Sequence, residues 1–182
     1  MQPSPAIDPK AKFLEKDFYD AFRWLFEGAL AWQATKIDGG PCRHQRALGM
    51  FTSLVQARAL YDFFFNPSRK EDDARASDFM GKWPEQPSDL CRKYMQGPTP
   101  ANKRIFHLVY ARENHAGGPG HEGPDHLKNQ VMEFAKDLHE ISKNFVAKVE
   151  PSLRPAAMSA LRKALDEAKK AADEYGIPNP FK

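Results

Sequence analysis

Asn102, Lys103 and His107 stand close together in the sequence, and each carries a group that can do chemistry. An imidazole titrates near neutral pH and serves as a general base. On a helix, positions 103 and 107 share a face. A histidine beside a cation and an amide can take a proton from a nucleophile, or hold the phosphate backbone of a nucleic acid. The competing reading is structural. His107 would donate to a carboxylate on a neighbouring helix, while Asn102 satisfies backbone groups at a helix end. Arg58 and Asp62, at the four-residue spacing of a helical ion pair, form a structural polar pair and are the natural partners for such groups.

Other chemistries find less support. A di-iron bundle needs Glu-x-x-His on two helices, and no histidine here has a glutamate three residues before it. No histidines stand in a His-x-x-x-His pair either, so no metal and no cofactor is expected. His115, His121 and His126 gather with Glu122 around the loop Gly117-Gly118-Pro119-Gly120, which reads as a solvated connection. That loop lacks the Gly-Lys-Ser/Thr ending and the preceding strand of a phosphate-binding loop. Cys42 lies two residues from His44, but such neighbours on a helix do not face each other.

The elements that must position these residues read as helices. Leu14, Phe18, Phe22, Leu25, Ala29 and Trp32 recur three and four apart, which predicts a first helix over about 9–34. Ile37-Asp38-Gly39-Gly40-Pro41 breaks it. A second helix spans about 42–65, with Phe51, Leu54, Val55, Arg58, Tyr61, Asp62 and Phe65 on its core-facing stripe. Residues 66–98 carry charges, four prolines and isolated large apolar residues. They predict short helical turns pinned to the bundle by Phe79 and Trp83.

A third helix starts at Thr99-Pro100, a cap followed by proline at the first helical position, and carries Asn102 to Arg112. The fourth starts with Asp125 as its cap and runs to about 149, with Leu127, Val131, Phe134, Leu138, Ile141 and Phe145 on one face. The fifth follows Pro151 and Pro155 and stops at Gly176. No strand pattern and no repeat appears. The fold class is therefore all-α: one domain, a bundle of four to five long helices with an irregular helical-turn insertion. Residues 1–10 form a disordered tail, 11–176 the bundle and 177–182 a second tail.

The length suits one domain with a real core. The net charge of +3 allows an acidic partner without arguing for strong nucleic-acid binding. Two cysteines without metal-ligand spacing fit reduced thiols in a cytoplasmic protein. No apolar run reaches the roughly 20 residues that span a bilayer, so no membrane partner is expected.

The order of features resembles the HEPN superfamily of helical bundles and related bacterial proteins. Two long helices come first, the second ending in Arg58-Ala-Leu-Tyr-Asp-Phe-Phe-Phe65. The acidic Glu71-Asp72-Asp73, Phe79 and Trp83 follow, then Asn102-Lys103-x-x-x-His107-Leu-x-Tyr110 before a final helix pair. The resemblance covers roughly residues 13–150. It implies RNA-cutting toxins or defence factors that act as homodimers sharing a site, with an arginine separated from a histidine by four to six intervening residues. His107 would be that histidine, yet Pro100, Ala101 and Asn102 occupy the arginine positions, and Lys103 is one residue too close.

The resemblance with this departure implies a degenerate, non-catalytic binding or interaction module of a bacterial defence or toxin–antitoxin system. RNA, another protein or a second copy would be its partner. The alternative is a metal-independent endoribonuclease using His107 with Asn102 and Lys103.

Overall fold

The computed structural model describes residues 8–34, 43–66, 73–96 and 124–181. The first helical stretch opens at α1 (Pro9–Phe13), where the Asp8 carboxylate accepts from the Lys10 N–H at 2.9 Å and proline takes the first turn. A π-helical turn (Leu14–Phe18) joins α1 to α2 (Tyr19–Gln33) without a break in helical direction. The wider π turn keeps Leu14 and Phe18 in line with Phe22 and Leu25, and all four are buried.

The other elements are α3 (Arg43–Phe65), a 3₁₀ turn (Ala76–Phe79), α4 (Asp89–Gln96), α5 (Pro124–Lys148) and α6 (Arg154–Tyr175). No strand occurs among the described residues, and the chain is an all-α bundle. α2 is its central rod, packed against α3, α5 and α6.

The tightest junction is the crossing of α2 and α3. A Cβ built on Gly28 would lie 2.6 Å from the Gly49 carbonyl oxygen and 3.0 Å from the Ser53 nitrogen. A Cβ on Gly49 would meet Ala31 Cβ and the Gly28 carbonyl at 3.0 Å. Backbone therefore packs on backbone here, which only glycine permits. Ser53 is buried beside the crossing and returns its hydroxyl to the Met50 carbonyl at 3.0 Å.

This junction corrects the stripe expected for α3. The inward face is Gly49, Ser53, Leu54, Ala57, Leu60, Tyr61 and Phe64. Phe51 and Val55 face outward, 37% and 38% exposed, on the side that carries Arg58 and Asp62. The apolar count hid the true face because its centre is a row of small residues, chosen for approach distance rather than hydrophobicity.

Away from the crossing the core is aromatic. Phe145 of α5 is fully buried and touches the rings of Phe18, Phe63, Phe64, Phe79 and Trp83 at 5.3–6.1 Å. Val131, Phe134, Leu138, Ile141 and Phe145 all face the core, as their spacing predicts. α5 begins at Pro124, so Asp125 lies inside the helix instead of capping it. α6 presents Ala157, Ala160, Ala164, Ala168 and Ala172 and ends at Gly176 in the left-handed conformation. The residues after it, read from the sequence as a tail, turn back onto the bundle, and Phe181 is buried.

Gly28→Ala tests the crossing. Alanine is intrinsically the better helix former by about 1 kcal/mol, but a Cβ at 2.6 Å from a carbonyl must push the helices apart. A net loss of about 1–3 kcal/mol is expected from this overpacking. Urea denaturation reads it, and a midpoint equal to wild type refutes the close contact.

Candidate binding site

Between residues 73 and 88 the described chain has few hydrogen-bonded turns, so side chains must fix its path. The Arg75 N–H donates to the Asp78 carboxylate at 2.9 Å and starts the 3₁₀ turn. Phe79 then inserts between Phe13, Phe63 and Phe145 at 5.4–6.0 Å. Gly81 reverses the chain with φ +78°, a conformation costly for any residue with a Cβ. Its N–H donates to the Ser77 carbonyl at 2.9 Å.

The reversal delivers Trp83 onto Phe64, ring centroids 5.5 Å apart, and onto Phe145. Lys148 lies over the indole at 5.9 Å and also bonds Glu85. The Trp83 N–H is buried without a hydrogen-bond partner among the described residues, so ring packing is what holds the indole.

These contacts leave a cavity of about 320 Å³ between the end of α3 and the 75–87 segment. Its apolar wall is Phe63, Phe64, Phe65 and Trp83; Asn66, Arg75, Lys82, Glu85 and Gln86 supply the polar lining. The cavity is half open to solvent, and its exposed lining is more polar than apolar. The lining holds two cations, Arg75 and Lys82, and one carboxylate, Glu85, which is shared with Lys148. The lining is therefore net positive.

The segment is pinned at its far end by a second cluster. Ser88 caps α4: its oxygen accepts from the Cys91 N–H at 3.0 Å while its hydroxyl proton goes to Asp137 of α5. The Cys91 thiol donates to the same Asp137 oxygen at 2.9 Å. Burial, and then this bond to Asp137, push the Cys91 thiol well above its usual range, so it stays protonated and is no nucleophile.

Of the residues singled out in the sequence, Arg58 and Asp62 form the expected pair, Nε to Oδ2 2.8 Å, with Asn66 donating to Asp62 at 3.3 Å. The pair is half-exposed on the outer side of α3 and contributes little to stability. Asn102, Lys103 and His107 lie outside the described residues, as do His115, His121, Glu122 and Cys42. The side chains of His44 and His126 do too. Phe79 and Trp83 act as the anchors their isolation in a polar stretch predicts.

Sequence reading missed the cavity and the Ser88–Cys91–Asp137 cluster. Serine after Pro87 and before Asp89 is a visible helix cap, but its tie to Asp137 crosses 49 residues with no local signal. Among the described residues no three histidine, cysteine or acidic side chains converge as metal ligands, and no helix is long and apolar enough to cross a membrane.

The thiol gives a direct check. In a Cys42→Ser background, Cys91 should resist iodoacetamide near about pH 8.5, the ordinary thiol pKa, and react once denaturant exposes it. Equal rates in the two states would show that the cluster does not hold it.

No protein-family model, curated protein or solved structure matches the chain, so the roles of these residues rest on their own geometry.

Proposed function

We propose that the chain is a binding module, and that the cavity beside Trp83 is its recognition site for a small organic anion with a flat apolar part. The observation that carries this is the lining itself: aromatic rings form one wall, and Arg75 and Lys82 outweigh Glu85 in charge. A planar apolar group would lie against the half-buried Trp83 ring, and a carboxylate would meet Arg75 and the exposed Lys82 through charge-assisted hydrogen bonds. The cavity walls are held by the Phe145 ring cluster and the Lys148–Glu85 bridge, so the site is formed before a ligand arrives.

This is also the form of action that the HEPN resemblance implies for a member without the signature arginine. Placement in a bacterial defence or toxin–antitoxin system, with RNA or protein as partner, rests on that resemblance. The second reading, a metal-independent endoribonuclease using His107 with Asn102 and Lys103, is favoured by the four-residue spacing of Lys103 and His107 in the sequence, which a helix would bring to one face.

Calorimetry with indole-3-acetate and its neutral amide separates charge from shape. The carboxylate should bind at least about tenfold tighter than the amide, one charged hydrogen bond's worth, and Lys82→Glu should remove that preference. No binding of either, or equal binding of both, overturns the anion site.

The second reading has its own assay. RNA cleavage that vanishes in a His107→Ala protein of unchanged thermal midpoint would establish it. Absence of cleavage by the wild type, with a midpoint lowered in His107→Ala, assigns His107 to the fold.

A further inference from the structure

His139 of α5 is 3% exposed, and its Nε2 is buried with no hydrogen-bond partner among the described residues. Its ring stands edge-on to Phe26 of α2, at 5.7 Å and 81°, and to Phe181, at 6.3 Å and 87°. Phe26 and Phe181 stack on each other at 4.2 Å. The three rings form one dry cluster that joins α2, α5 and the segment following α6.

That segment is a preset strap. Gly176 turns it out of α6 with φ +62°, and the Ile177 N–H returns to the Ala172 carbonyl at 3.0 Å. Pro178 and Pro180 restrict its backbone, and the Asn179 side chain accepts from the Phe181 N–H at 2.9 Å. Among the described residues, no hydrogen bond ties the strap to α2 or α5. Its hold on the bundle is apolar: the buried Phe181 ring and the partly buried Ile177.

We propose that the strap Gly176–Phe181 is an acid-released clasp, in which protonation of His139 expels Phe181 and opens the aromatic slot between α2 and α5. An imidazolium in this cluster has no carboxylate or carbonyl among the described residues to receive its proton at Nε2. The charged residues of α2 that flank Phe26, Arg23 and Glu27, bond each other at 2.9 Å. On α5 itself Lys143 opposes a positive charge and Glu140 favours one. The strap residues Gly176–Phe181 carry no titratable side chain.

The centroid distances set the imidazole beside the Phe26–Phe181 stack and not over a ring face, so no cation–π attraction offsets the desolvation of an unpaired buried charge. Burial first, and Lys143 second, accordingly hold the histidine below its ordinary 6.5. Water reaches His139 most cheaply by detaching one ring, Phe181, because the alternative is to separate α2 from α5 along their packed faces.

The sign follows from linkage. The docked state prefers neutral His139, so docking is complete above about pH 6.5 and weakens as pH falls below it. The ratio of released to docked strap should rise about tenfold per pH unit in this window and level off below the depressed value. A fluorophenylalanine at position 181, read by fluorine NMR alongside the His139 ring proton, follows both events in the intact chain.

Release of the label in step with His139 titration, with helical circular dichroism unchanged, is the expected result. A strap that stays docked while His139 titrates overturns the proposal, and so does release only on loss of the whole fold. His139→Leu should keep the strap docked in acid, and release at the same pH in that variant also overturns it. Should His139→Leu not fold, Phe181→Ala serves: His139 must then titrate closer to 6.5, and an unmoved titration refutes the clasp.

Discussion

The contact of Gly28 with Gly49 sets the dimensions of this molecule. Two helices meet there backbone to backbone, with no room for a Cβ at Gly28. α2 packs against each of the other three long helices, and against α3 most extensively. Its distance from α3 therefore fixes how much room the aromatic side chains have on the other flank. Phe63 and Phe64 reach Phe145, and through it Phe79 and Trp83, because α3 is drawn in at its glycine and serine turn. The walls of the cavity stand at the end of that chain of contacts.

The long helices among the described residues were legible because their apolar residues recur at helical spacing, and so was the role of Phe79 and Trp83 as anchors. The orientation of α3 was not. Phe51 and Val55 have the hydrophobicity of core residues and the exposure of surface ones. Gly49, Ser53 and Ala57, the residues that meet or flank α2, register as weakly polar or neutral on any apolar count. Periodicity ranks positions by hydrophobicity, whereas a close crossing ranks them by size.

The candidate site was hidden for a different reason. Its residues come from the end of α3, from a reversal at Gly81 and from a segment with no regular structure, and it is braced by Lys148 and Asp137 of α5. Each tie joins positions tens of residues apart, and no spacing rule connects them. His139 was visible as one more residue in a helix that also carries Glu140 and Lys143. Only the fold shows that its ring turns inward to Phe26 and Phe181.

The π-helical turn at Leu14–Phe18 makes the length of the first helical stretch a hidden constraint. A π turn holds one more residue than an α turn. Loss of any single residue there would restore an unbroken α-helix and cost no helical hydrogen bond. It would also rotate everything upstream by about 100°. Phe13 would swing off Phe63 and Phe79, and Lys10 would leave the Asp78 carbonyl and Glu150. The stretch thus tolerates changes of residue type far better than a change of residue number, and a one-residue deletion would cut the molecule's N-terminal turn loose from the segment that shapes the cavity.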